Sequence, residues 1–153
     1  MAFVRVEQRN ARLASAVKVE YVKGRDGEVP KGTVTVISNA RRGSVDERAE
    51  EATAIQWTLW GVQAQNAAIY LVKGSRVNVI GRLRNNNYTN GDGAEVYGFG
   101  FTVEEIDYLD SKAESDARRA RQVDASQEGK AAATRKPAGR TGSAAGSRSV
   151  ASR

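Results

Sequence analysis

The chain contains no cysteine and no histidine. Their absence removes disulfides, thiolate nucleophiles, zinc sites built on sulfur or imidazole, and any catalytic triad that needs an imidazole base. What remains for catalysis is carboxylate chemistry, and two clusters qualify: Asp46, Glu47, Glu50 and Glu51, and then Glu104, Glu105 and Asp107. The first lies in an Arg-rich stretch of loop composition and the second closes a strand pattern, so both read as solvated surface. No enzymatic activity, metal or cofactor is expected. Long apolar runs are also missing: none approaches the length of a membrane span. Arg5, Glu7 and Arg9 fall too early for the apolar region of a signal peptide. A soluble, cytoplasmic protein with no membrane partner is expected.

The 153 residues suffice for one ordinary domain with a real core. The formal net charge is +6, and its placement says more than its size. Basic and acidic residues balance from Met1 to Ser111, so the whole excess lies between Lys112 and Arg153. Residues 112–127 are compatible with a marginal polar helix. Residues 130–153 are Ala, Gly, Ser and Arg with almost no large apolar side chain, which cannot bury enough surface to order itself. The chain thus divides into a folded domain, 1–111, and a disordered basic tail, 112–153.

Within the domain, Phe3–Glu7 and Ala16–Val22 alternate as strands do, and Gly32–Ser38 is a β-branched run set off by the turn-rich Lys23–Gly27. Asn39–Ala52 is polar and carries no strand signal, so a long exposed loop is expected. Ala54–Gly61 alternates again, with Ile55, Trp57 and Leu59 on one side and Gln56, Thr58 and Trp60 on the other. Parity puts Trp57 in the core and Trp60 outside. Ala64–Val72 reads as a short helix closed by Lys73-Gly74. Arg76–Leu83 and Glu95–Val103 return to strand across a stretch, Asn85–Gly93, dense in turn residues. Four strand segments precede the short helix and two follow it, an order read as three strands, one short helix and two further strands. This is the order of an OB-fold, an all-β five-stranded barrel with its helix between the third and fourth strands.

Tyr97-Gly98-Phe99-Gly100-Phe101 is ambiguous by itself. RNA-recognition modules carry a similar aromatic strand on an open sheet where bases stack. Their βαββαβ order needs a helix and a fourth strand after that motif, and here a polar stretch follows instead. Packing is therefore favoured, with Tyr97, Phe99, Phe101 and Val103 lining the barrel interior and Gly98 and Gly100 keeping the other face flat.

The run Tyr70-Leu71-Val72-Lys73-Gly74-Ser75-Arg76-Val77-Asn78-Val79-Ile80-Gly81-Arg82-Leu83-Arg84, with Thr58-Leu59-Trp60-Gly61 before it and Tyr88-Thr89 through Val96-Tyr97 after it, resembles the bacterial single-stranded DNA-binding protein family. The likeness is good over residues 54–103 and, over 1–53, lies only in the order of elements. It implies sequence-independent binding and protection of single-stranded DNA during replication, recombination or repair, in association with the nucleoid. It implies stacking aromatics at Trp60 and Tyr88, and basic contacts at Arg84 and Lys73. Arg82 and Arg76 share a strand face with Arg84, and Arg41 and Arg42 offer further charge. Two tryptophans of the family pattern fall at Ala40 and Ala54 here, and Asn86 and Asn87 stand where basic residues are common, which predicts a differently shaped DNA path.

The resemblance also implies a homo-oligomer, a tetramer or alternatively a dimer. The family ends in an acidic tip that docks replication and repair proteins; this chain reads Ser149-Val150-Ala151-Ser152-Arg153 at its end, so such partners are not expected from it. The basic tail is either a nucleic-acid contact or a plain linker. The competing function is an OB-fold accessory protein, a primosome component or RNA binder, that acts mainly through protein contacts.

Overall fold

The structure is a computed structural model that describes residues 3–42 and 49–134. In chain order the elements are β1 (Val4–Leu13), β2 (Lys18–Gly24), β3 (Gly27–Arg42), β4 (Ala49–Trp60), α1 (Val62–Tyr70), β5 (Arg76–Asn85), the short pair β6 (Tyr88–Thr89) and β7 (Glu95–Val96), β8 (Phe99–Tyr108) and α2 (Lys112–Thr134). The main sheet runs β1-β5-β8-β4-β3-β2, and a further β1–β3 pairing closes it into a barrel. All pairings are antiparallel except β4–β8, which is parallel and only two residues long, Trp57 with Phe101 and Thr58 with Thr102.

β1 and β2 both pair with β3, at Leu13↔Val36 and Lys18↔Thr33. They are therefore two halves of one strongly bent strand. Counted that way, the barrel has the five strands and the helix position of the OB order. β1 runs to Leu13, well past the Phe3–Glu7 alternation, because a bulge between Gln8 and Ala11 breaks the period. Asn10 sits in the bulge at φ 48, a conformation asparagine tolerates, and its N–H donates to Asn78 Oδ1 at 2.8 Å. Beyond the bulge, Ala11 and Leu13 again point inward.

The stretch expected to be a long loop, residues 39–52, is instead largely ribbon. β3 and β4 stay in register from Lys31↔Trp60 out to Arg42↔Ala49. Cross-strand pairing overrides the polar composition there, and Arg41 faces Glu50 with opposite charge. Residues 43–48, including Asp46 and Glu47, lie outside the described residues.

Inside the barrel, Val34, Val36, Trp57, Leu59, Val77, Val79 and Val103 pack together, closed at one end by Ala64, Ala67 and Leu71. Trp57 is fully buried, as parity requires. Its indole N–H donates to Gln8 Oε1 at 2.9 Å, and Gln8 Nε2 lies 3.0 Å from the Val36 carbonyl, 3.1 Å from Ser38 Oγ and 3.2 Å from the Thr53 carbonyl. A single amide thus satisfies the indole and ties β1 to β3 and β4, and a buried polar group with partners of this kind costs the core little.

α1 begins two residues earlier and ends two residues sooner than the Ala64–Val72 expectation. Gly61, at φ 64, turns β4 directly into the helix. At the other end the Val72 N–H donates to Ser75 Oγ at 3.0 Å and Leu13 accepts the Gly74 N–H at 2.8 Å. These bonds draw Leu71 and Val72 out of the helix and into buried positions. The Lys-Gly-Ser turn is thus a structural clasp whose serine is fully buried.

Where the disordered tail was expected to start, residues 112–134 form α2. The reason is a capping box that composition alone conceals: Ser111 Oγ accepts the Glu114 N–H at 3.3 Å while Glu114 Oε2 accepts the Ser111 N–H at 2.8 Å. Residues 135–153 lie outside the described residues. Among the described residues, the barrel and the first turns of α2, as far as Ala120, form one compact unit, and α2 from Arg121 on belongs to a second.

Candidate nucleic-acid interface

The brevity of the β4–β8 pairing shapes the surface. Beyond Phe101, toward the start of β8, β4 leaves to form the ribbon with β3, and the two strands part. Two adjoining grooves open there. One, of about 660 Å³, is lined by Thr33, Thr53–Gln56 and Phe99; the other, of about 410 Å³, by Trp60, Arg84, Asn85 and Thr102. Lys31, Thr58, Asn86, Gly100 and Phe101 line both, so the surface is continuous.

Trp60, the last residue of β4, stays 43% exposed. Its register partner Lys31 places an ammonium 6.0 Å from the indole ring centroid, and that ammonium also lies 3.5 Å from Glu20. Arg84 is exposed on β5, opposite Gly100, and among the described residues it has no ion-pair partner. Trp60 and Arg84 therefore line one groove. Tyr88 is 57% exposed on the β6–β7 hairpin that follows β5.

The other basic residues are placed differently. Arg82 pairs with Glu104 and stacks over Phe3 at 4.6 Å from the ring centroid, so its charge is already matched. Arg76 lies eight residues from Arg84 along β5, roughly 26 Å at the strand rise, and its Nε donates to Asp110 Oδ1 at 3.2 Å. Lys73 is exposed in the turn between α1 and β5 and lines neither groove. Arg41 is exposed on the ribbon; of Arg42 only the backbone is described.

The aromatic strand divides. Val103 is buried and Phe101 packs edge-on against Trp57 at 5.6 Å between ring centroids. Phe99 and Tyr97, expected inside the barrel, are 68% and 75% exposed. Phe99 keeps the parity of Phe101 and Tyr97 precedes the strand, but the β4–β8 pairing does not extend past Trp57↔Phe101 toward them, so β4 stands across an open groove from Phe99 instead of packing on it. Of the groove residues that sequence reasoning did not assign to binding, Lys31 carries a charge and Phe99 an exposed ring. The only sequence signal for Lys31 was its position across from Trp60, visible once the register is known.

At the far end of the barrel a second cluster anchors α2. Asp110, its side chain 5% exposed, accepts from the Arg76 N–H at 3.1 Å, from Arg76 Nε and from Arg118 of α2. Burial pushes the Asp110 carboxyl up, but the hydrogen bonds from Arg118 and Arg76 more than offset it and leave it below its ordinary value of 3.8. Arg119 also donates to the Ile69 carbonyl. Nearby, the rings of Tyr70 and Tyr108 meet tilted at 46° with centroids 6.3 Å apart, and burial, followed by Tyr70, raises the Tyr108 hydroxyl.

A depressed carboxylate contributes stability that is present above its unfolded value and is lost as pH falls through the folded one. Asp110→Asn is accordingly expected to cost about 2 kcal/mol near neutral pH, from two charge-assisted bonds. That gap should close as pH drops below 3.8. Urea melts of both proteins across that range check it, and a gap that does not change with pH would rule out the ion pair as its origin.

Among the described residues no group of acidic side chains could hold a metal, and no helix is long and apolar enough to cross a membrane. The sequence model of the Single-strand binding protein family matches residues 10–109. The single-stranded DNA-binding protein of Lactiplantibacillus plantarum is 34% identical over 109 residues, 71% of this chain and 52% of the relative. Single-stranded DNA-binding protein 3 of Listeria innocua is 40% identical over 63 residues, 41% of this chain and 39% of the relative. Single-stranded DNA-binding protein B of Bacillus subtilis is 37% identical over 62 residues, 40% of this chain and 55% of the relative. The chain spans about half the length of the curated relatives it matches.

Proposed function

Because the chain belongs to the Single-strand binding protein family, we propose that it binds single-stranded DNA without sequence preference and protects it during replication, recombination or repair. The observation that carries this reading is the groove between β4 and β8, which brings together an exposed indole, the Lys31 ammonium and the Arg84 guanidinium, the last without an ion-pair partner among the described residues. Single-strand binders combine positive charge that follows the phosphates with flat faces on which any base can stack. Trp60 and Tyr88 supply faces, Lys31 and Arg84 supply charge, and Arg41, exposed on the ribbon, is a further candidate contact.

The barrel, residues 1–111, is the binding domain. Binding is stoichiometric, as befits a family of non-enzymatic DNA-binding proteins. Lys73, Arg76 and Arg82 contribute at most to the general field, since none of the three lines either groove. The working form is a homo-oligomer, a tetramer or a dimer, associated with the nucleoid. The groove presents base-stacking faces rather than a complement to duplex, whose bases are already stacked inside.

The test is a titration of labelled oligo-dT at two salt concentrations, with duplex DNA and oligo-U alongside. Tight dT binding that weakens with salt, with duplex bound poorly, is the expected result. A folded protein that ignores dT would refute the reading, and a strong preference for oligo-U would move it to an RNA binder.

A further inference from the structure

Phe99 is 68% exposed although the barrel has inward room for its neighbours Phe101 and Val103. The fold makes no use of its ring. That ring stands in the wall of the larger groove, whose β4 side carries Thr53, Ala54, Gln56 and Thr58, while the bulky apolar side chains that also line it, Ile55 and Phe101, are partly buried against the core. Lys31, Thr58 and Asn86 continue from this groove into the one that holds Trp60.

We propose that Phe99 is a further base-stacking face, beside those of Trp60 and Tyr88, reached by a single strand of DNA that has passed over Trp60 and Lys31. This inference rests on the single-strand reading above and adds to it a path and, after Trp60, a second station along it. Three features select a nucleic-acid strand as the occupant. The groove is continuous with the Trp60 surface, it carries an ammonium, and its remaining polar groups are hydroxyls and amides that accept or donate without demanding one base. An exposed aromatic ring suits a π-face, which every base presents.

Three substitutions test it: Phe99→Ala, Phe99→Leu and Phe99→Trp, each titrated with labelled oligo-dT beside wild type, Trp60→Ala and Tyr21→Ala. Tyr21 is equally exposed, at 59%, but belongs to β2 and lines neither groove. Exposure of Phe99 means that the variants should melt with wild type. The alanine and leucine variants are expected to bind dT about five- to a hundredfold more weakly. Phe99→Trp should bind as wild type and add a tryptophan signal that dT quenches, and Tyr21→Ala should be unchanged. Wild-type affinity in both Phe99→Ala and Phe99→Leu, with Trp60→Ala impaired, would overturn the second station while leaving the function intact. Full affinity in the leucine variant alone would show an apolar contact, not stacking, and would also overturn it. If wild type itself ignores dT, the function fails first and this inference falls with it.

Discussion

Gly81→Ala is expected to remove about 4 kcal/mol or more of stability, a large share of the 5–15 kcal/mol that holds a typical domain together. A Cβ on Gly81 would lie 2.1 Å from the Thr102 carbonyl oxygen and 2.7 Å from Trp57 Cζ3. Neither neighbour can yield cheaply. Thr102 is backbone of β8 beside a register shift between Ile80 and Gly81, and Trp57 is fully buried with its indole held by Gln8. The glycine is thus the point at which β5 approaches both β8 and the central side chain of the core. Thermal melts followed by circular dichroism should show the midpoint falling by roughly 15 °C or more. Gly91→Ala is the control, because nothing lies within 4 Å of a Cβ at that position. It should change stability by no more than about 0.5 kcal/mol. Should the two variants melt together, the packing around Trp57 is softer than this geometry requires.

Why some of this was legible and some was not follows from the range of the interactions involved. Alternation in Ala54–Gly61 placed Trp57 inside and Trp60 outside, since both outcomes depend only on local parity. The strand order also follows from local pattern, and with it the barrel. Phe99 shares the parity of Phe101, yet its exposure depends on where β4 leaves β8, a fact about pairing across some forty residues. The ribbon beyond Asn39 likewise draws its order from cross-strand bonds and not from its own polar composition. Arg76 and Arg82 looked equivalent to Arg84 because all three occupy one strand face. Asp110 and Glu104, both distant in sequence, are what separate them. Ser111 and Glu114 formed a capping box that was readable, and a tail composition read in bulk hid it.

Trp60→Ala is expected to weaken oligo-dT binding about tenfold or more, since each stacked base is worth roughly 1–3 kcal/mol. The two tryptophans make the measurement unusually clean. Trp57 is wholly buried and reports only on the fold, whereas Trp60 is 43% exposed and is the indole a bound base can reach. Quenching of wild-type fluorescence by dT should therefore vanish in Trp60→Ala even where labelled dT shows that the variant is saturated. Phosphate contacts obey a different law. Because counterion release depends on charge and not on stacking, the slope of affinity against salt should be nearly unchanged in Trp60→Ala. In Arg84→Ala, which leaves the indole in place, the slope should flatten by about 0.7 for the one lost contact while quenching persists. Loss of both properties together in either variant would mean that indole and guanidinium do not act as separable contacts, and the division of labour inferred for this groove would be wrong.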